Sequence, residues 1–110
     1  NYLNKLDFIH INDVCSAIYF LLKKKKNMSG IFEIGSGESL SILEVAKIIK
    51  STLRSKNKII KNSLSSSIPI KTKAILNYKQ FKWKPKIKIK SAIKNIVKYE
   101  KKNWNNLRKI

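Results

Sequence analysis

The chain has 110 residues, the size of one small domain, and 43% of them are hydrophobic, so it can form a core. Its 25 basic and 6 acidic residues give a net charge of +19, a balance typical of proteins that bind nucleic acid or an anionic membrane. However, Arg54 and Arg108 are the only arginines, and Arg is the residue that binds phosphates and base edges with two parallel hydrogen bonds. The positive charge is therefore only a weak indication of nucleic-acid binding. One cysteine and one histidine exclude a disulfide framework and a zinc cluster. The longest apolar run, 17–22, is far too short to span a membrane, and no signal-peptide pattern opens the chain, so we expect a cytoplasmic protein without membrane contact.

The first part of the chain predicts a strand followed by a helix. Residues 6–11 alternate and are rich in β-branched and aromatic side chains, which favours a short strand. Asn12 or Asp13 can then cap a helix. Apolar residues recur with the helical spacing, which predicts one buried face made of Val14, Ala17, Ile18, Leu21 and Leu22.

A second strand and helix follow, joined by a glycine-containing loop. Residues 31–34 predict the strand, and the loop reads GSGES over 35–39. Ser41 and Glu44 have the spacing of a capping box, in which each satisfies a backbone N–H beside the other. The predicted buried face of this helix is Ile42, Val45, Ala46, Ile49 and Leu53.

The second half of the chain is far more basic, with a net charge of +16 over the last 55 residues. It predicts a strand at 58–61, a loop at 62–67 and a short helix over 73–81. Alternation over 84–90 places Ile87 and Ile89 on one face. A last helix, about 91–106, is predicted to bury Ala92, Ile93, Ile96, Val97 and Trp104.

Taken singly, no residue defines an active site. The glycine loop before a helix could cradle an anion, but its spacing is not that of a dinucleotide or P-loop motif, which favours a simple tight turn. His10 is expected to be structural, Cys15 to be packed, and Glu33 and Glu38 to be solvated or capping. Aromatic residues of the second half could stack on single-stranded nucleic acid, but core packing is the stronger interpretation.

The order of the motifs carries more information. The segments DFIHINDV (7–14), FEIGSGESLSILEVAKII (32–49) and WKPK (83–86) resemble, in order and spacing, the C-terminal portion of the extended short-chain dehydrogenase/reductases. These are the NAD-dependent epimerases and dehydratases that act on nucleotide sugars.

This resemblance implies an α/β fold: the last strand of a Rossmann-type sheet plus a small substrate-binding α/β region. Residues 1–110 would form one C-terminal segment, with sheet-edge strand and helix units over 1–54 and a substrate-side lid over 55–110. It also implies that the glycine-rich NAD loop and the catalytic Tyr-x-x-x-Lys pair belong to an N-terminal Rossmann portion that these residues do not contain. Tyr19 and Lys23 have the catalytic spacing, but they fall within the amphipathic helix. We therefore expect no catalytic or cofactor-binding residue and no bound NAD or NADP in this chain alone.

Several positions depart from the family pattern, including one that contacts the ligand. The arginine that clamps the substrate diphosphate is replaced by Leu6, and a family glycine is replaced by Lys82. Lys5 is next to the lost arginine, and Lys71 and Lys73 lie nearest to the family's second phosphate-binding segment. The resemblance therefore suggests Lys5, Lys71 and Lys73 as substrate-binding residues.

Three hypotheses remain open from the sequence. The first is the substrate-binding part of a NAD(P)-dependent nucleotide-sugar epimerase, dehydratase or reductase, inactive alone. The second is a small basic nucleic-acid-binding protein, which the Lys-rich and Arg-poor composition disfavours. The third is a non-functional gene remnant.

Overall fold

The computed structural model describes residues 1–24, 30–62, 68, 70–73 and 82–107. Among them it assigns two short strands, β1 (Lys5–Asp7) and β2 (Ser39–Ser41), and three helices, α1 (Ile11–Lys23), α2 (Ile42–Leu53) and α3 (Ile89–Leu107). The α/β class predicted from the sequence is confirmed. β1 carries Lys5 and Asp7, and α1 carries Asp13 and Ser16, the polar side chains described below.

β1 has hydrogen-bonding partners on both edges. On one edge it pairs with β2 in antiparallel register, with partners Lys5–Ser41, Leu6–Leu40 and Asp7–Ser39. On the other edge the N–H of Lys5 donates to the carbonyl of Ile70, and the N–H of Thr72 donates to the carbonyl of Lys5, both at 2.8 Å. These two bonds make a parallel bridge between Lys5 and Lys71. Residues 70–72 are thereby fixed beside β1, although they lie more than sixty positions away in the sequence.

The strand predictions are largely wrong. The strand predicted at 6–11 is confined to 5–7, and no strand forms at 31–34 or at 58–61. Apolar, β-branched composition favours an extended backbone, but a strand forms only where a neighbouring backbone completes its ladder of hydrogen bonds. Within the described residues, no segment forms such a ladder with 31–34 or 58–61.

His10 caps helix α1, in place of the predicted Asn12 or Asp13. Its Nδ1 accepts the N–H of Asn12 at 3.1 Å, and its carbonyl accepts the N–H groups of Asp13 and Val14. His10 keeps extended backbone angles, as an N-cap residue does. The prediction that His10 is structural is consistent with this bond.

The buried face of α1 differs from the predicted one. Ala17 is fully buried against Trp83, and partly buried apolar side chains surround this pair: Ile9, Phe20, Leu21, Phe32 and Ile34. Ile18 and Leu22 were predicted to be buried but are 49% and 79% exposed. Asp13 is only 3% exposed, although hydropathy places a charged residue on the outside of the helix. The buried face of α1 is therefore rotated toward Asp13, relative to the predicted face.

Helix α2 begins with the predicted capping box. The Ser41 hydroxyl accepts the N–H of Glu44 at 3.1 Å, and the Glu44 carboxylate accepts the N–H of Ser41 at 2.7 Å. The helix ends at Arg54, whose φ of 52° is left-handed. Of its predicted face, Ile42 and Leu53 are exposed instead.

Helix α3 packs against α2 and closes a second cluster. Its buried members are Leu40, Ile89 and Ala92, and the partly buried side chains around them are Phe8, Val45, Ile48, Ile87 and Ile93. The prediction that Ile87 and Ile89 share one face is confirmed. Ile96 and Trp104 were predicted to be buried but are 52% and 58% exposed. Both line an open groove between α2 and α3, together with Ile49 and Leu53.

The predicted loop over 62–67 and the predicted helix over 73–81 lie almost wholly outside the described residues.

Candidate functional site

An internal carboxylate occupies the glycine loop. Asp7 ends β1, and its side chain accepts the N–H and the hydroxyl of Ser36, each at 2.7 Å, and the N–H of Gly37 at 3.0 Å. Gly37 has φ +75°, which lets the loop turn both amides toward the same carboxylate. The tight-turn interpretation is therefore favoured over the ligand cradle. These amides do not fit the phosphates of a dinucleotide, because Asp7 already accepts their hydrogen bonds.

A second aspartate holds the segment that follows Trp83. The carboxylate of Asp13 accepts the N–H of Lys86 at 3.1 Å and the N–H of Ile87 at 2.9 Å. One turn further along α1, the hydroxyl of Ser16 accepts the indole N–H of Trp83 at 2.9 Å. Asp13 and Ser16 thus connect the DFIHINDV motif to the WKPK motif. The sequence pattern predicted neither contact, although Asp13 lies four positions before Ala17 and so shares its helix face.

Lys5, Lys71 and Lys73, the three predicted substrate-binding residues, line one cavity of about 470 Å³. The bridge between Lys5 and Lys71 explains why the first two meet there. The hydroxyl of Ser39 donates to the carbonyl of Thr72 at 2.6 Å, which fixes β2 against the same segment. The remaining lining residues are Gly37, Glu38, Ser39, Leu40, Glu44 and Lys90. We call this cavity the lysine cleft.

The lysine cleft is basic. Four lysines face two glutamates, which leaves an excess of two positive charges. The backbone N–H and then the hydroxyl of Ser41 lower the pKa of Glu44, and the charges of Lys5 and Lys90 lower it further. Lys5 and Lys90 therefore act on Glu44 from different elements. An open cleft with excess ammonium groups attracts small anions, and the attraction weakens as salt increases.

The position that resembles the family's diphosphate arginine is apolar. Leu6 lies opposite Leu40 in the ladder, so this cross-strand pair presents two apolar side chains. Lys82, where the resemblance places a glycine, has φ 46° and so keeps a left-handed conformation that glycine adopts more easily.

Of the single residues weighed for a chemical role, Glu38 lines the lysine cleft, whereas His10, Cys15 and Glu33 lie outside it. Cys15, predicted to be packed, is an exposed free thiol, and Glu33 is exposed. The ammonium of Lys23 lies 4.6 Å from the ring centroid of Tyr19, so this pair forms a cation–π contact on the surface of α1. No helix in the described part of the chain is long and apolar enough to cross a membrane.

Comparison with known proteins gives a consistent set of relatives. No family model matches the chain. The chain is 24% identical over 98 residues to a probable GDP-L-fucose synthase 1 of Oryza sativa subsp. japonica, covering 88% of this chain and 30% of that protein. It is 45% identical over 49 residues to an ADP-L-glycero-D-manno-heptose-6-epimerase of Brachyspira hyodysenteriae, covering 44% of this chain and 15% of that protein.

Solved structures agree with these relatives. The dTDP-glucose 4,6-dehydratase of Bacillus anthracis in complex with NAD superposes with a TM-score of 0.76 at 26% identity, over 94% of this chain and 33% of that one. The UDP-glucose 4-epimerase of Thermotoga maritima with UDP-glucose gives a TM-score of 0.79 at 20% identity, over 94% of this chain and 34% of that one. The chain therefore spans about a third of the length of the enzymes whose structures it matches.

The fold is that of part of a Rossmann-type α/β enzyme. More narrowly, the chain is similar to part of the extended short-chain dehydrogenase/reductases that act on nucleotide sugars, which confirms the resemblance seen in its motifs.

Proposed function

We propose that this chain is the substrate-binding part of a NAD(P)-dependent nucleotide-sugar epimerase, dehydratase or reductase, and that the lysine cleft binds the substrate diphosphate. The observation that carries the proposal is the convergence of Lys5, Lys71 and Lys73 on one open cavity. Their ammonium groups can each donate charge-assisted hydrogen bonds to phosphate oxygens. They take over the charge that the family supplies with arginines, but from neighbouring positions.

The chain is proposed to be inactive alone. The resemblance assigns NAD(P) binding and hydride transfer to an N-terminal Rossmann portion that these 110 residues do not contain. We propose that this portion is the partner of residues 1–54. The proposed lid, 55–110, contributes Lys71 and Lys73. In this division, the described residues bind and orient the diphosphate, and the chemical step belongs to the partner portion.

Calorimetric titration of the 110-residue chain with UDP-glucose tests the proposal. We expect saturable binding in low salt that the triple variant K5Q/K71Q/K73Q weakens at least tenfold. The matched control is K47Q/K56Q/K58Q, which removes the same charge from exposed lysines outside the cleft and should bind as the wild type does. Equal binding by the two triple variants would contradict the assignment of the cleft. Turnover of UDP-glucose with NAD by the isolated chain would contradict its proposed inactivity.

Nucleic-acid binding is a second candidate, and one feature of α3 favours it. Four exposed lysines recur at every fourth position along this helix: Lys90, Lys94, Lys98 and Lys102. Residues at this spacing lie along one side of a helix, so the charges form a stripe about 18 Å long. Binding of labelled duplex or single-stranded DNA would fall steeply with salt. If neither is retained on a filter at low salt, this candidate is rejected.

A further inference from the structure

The lysine cleft has a fourth basic side chain that the sequence analysis did not select. Lys90 is the second residue of α3 and lies seventeen positions beyond Lys73 in the sequence, yet it lines the same cavity as Lys5, Lys71 and Lys73. It approaches from a helix, whereas the other three come from β1 and the segment beside it. A ligand in the cleft would therefore meet ammonium groups from separate elements.

Buried neighbours fix the backbone of Lys90. Ile89 is 6% exposed and Ala92 is 2% exposed, both packed in the cluster with Leu40. The N–H groups of Ser91 and Ala92 each donate to the carbonyl of Lys88 at 3.0 Å, which closes the first turn of α3. A side chain that starts from a rigid, packed helix loses less freedom on binding than one on a loose loop.

The charge of the cleft indicates what Lys90 adds. With Lys5, Lys71 and Lys73 alone against Glu38 and Glu44, the cleft would have an excess of one positive charge; Lys90 raises the excess to two. The diphosphate diester of a nucleotide sugar carries one negative charge on each of its two phosphates. The charges of Lys5 and Lys90 act on Glu44, so Glu44 offsets part of the positive charge and an excess of two remains for a ligand.

We propose that Lys90 is a fourth ligand of the lysine cleft and that it contacts the second phosphate of a diphosphate, so that the cleft prefers two linked phosphates to one. This inference rests on the proposed function. It identifies Lys90 as the residue through which the cleft selects a pyrophosphate linkage over a single phosphate.

The test compares inorganic pyrophosphate with inorganic orthophosphate as probes, titrated into the 110-residue chain. The wild type should bind pyrophosphate more tightly than orthophosphate. K90Q should lower the pyrophosphate affinity about threefold to tenfold, the range for one charge-assisted contact at an exposed site, and should lower the orthophosphate affinity much less. K90R keeps the charge and should restore the preference. K94Q removes a lysine one turn further along α3, outside the cleft, and should leave both affinities unchanged.

The outcomes separate this inference from the proposed function. If K5Q weakens pyrophosphate binding while K90Q behaves as K94Q does, the cleft binds phosphate but Lys90 is not a ligand. If K90Q and K94Q lower the preference for pyrophosphate over orthophosphate by the same factor, Lys90 acts only as a general charge and the selectivity claim is overturned. If the wild type binds neither probe, the proposed function fails and takes this inference with it.

Discussion

Asp13 connects the DFIHINDV motif to the WKPK motif, and its removal tests how much this connection stabilises the fold. It is 3% exposed and accepts two backbone N–H groups, those of Lys86 and Ile87. In Asp13→Ala both donors lose their acceptor. The N–H of Ile87 is left without an acceptor, which costs about 1–3 kcal/mol. Lys86 lies at the surface, where its N–H can recruit water, so its lost hydrogen bond costs only about 1 kcal/mol. We therefore expect a loss of about 2–4 kcal/mol in the free energy of unfolding.

Urea unfolding followed by far-UV circular dichroism measures this loss. A small domain has about 5–15 kcal/mol of stability in total, so the expected change is large. Glu100→Ala is the matched control because it removes the same charge from an exposed position on α3. Asp13→Asn, which keeps one carbonyl acceptor, should fall between the two. If Asp13→Ala and Glu100→Ala differ by less than about 0.5 kcal/mol, the surface-like value expected for neutral sites, the assigned role of Asp13 is refuted. A cooperative transition of the wild type would also count against the gene-remnant hypothesis.

Three further predictions concern single positions. Glu44→Gln keeps an acceptor for the capping box but removes the titrating carboxyl group. Because folding lowers the pKa of Glu44, the ionised carboxylate stabilises the fold at pH values above its ordinary pKa of 4.5. This stabilisation is lost as the pH falls below that value and through the lower pKa of the folded state. The wild type should therefore lose more melting temperature between pH 7 and pH 3 than Glu44→Gln does, and equal losses would contradict the assignment. Lys82→Gly should raise stability by about 1 kcal/mol in urea unfolding, because Lys82 has φ 46° and a left-handed backbone costs a side-chain-bearing residue about that much. Lys58→Gly, at an exposed position, is its control, and a loss of stability in Lys82→Gly would show that the backbone is not left-handed there. Asp7→Ala should destabilise the chain by about 2–4 kcal/mol by freeing the donors of the glycine loop. Sulfate should restore part of the melting temperature of Asp7→Ala beyond its effect on the wild type, and an equal effect on both proteins would argue against an anion site in the emptied loop.

Local features of the fold were predictable from the sequence because their partners lie within a few residues. The capping box needs only Ser41 and Glu44, three positions apart, and both of its hydrogen bonds are present. The last helix likewise follows from apolar spacing alone. Strands at 31–34 and 58–61 were predicted wrongly because a strand depends on a neighbour that local sequence does not specify.

Contacts between distant residues were not predictable in the same way. The bonds from Lys86 and Ile87 to Asp13 span more than seventy positions, and a buried acid at a helix face contradicts the hydropathy pattern that was used to orient α1. The resemblance supplied Lys5, Lys71 and Lys73 because it places motifs in a known order. It did not supply Lys90, which lies beside neither of the two phosphate-binding segments that the resemblance implies.

The central claim is that the lysine cleft binds the diphosphate of a nucleotide sugar. The most direct test is to titrate UDP-glucose into the isotopically labelled 110-residue chain and follow the backbone amide resonances. The account predicts that the saturable shifts concentrate at Lys5, Ser39, Lys71, Lys73 and Lys90. Shifts that concentrate instead on the exposed lysines along α3, at Lys94, Lys98 and Lys102, or the absence of saturable shifts at millimolar ligand and low salt, would contradict it.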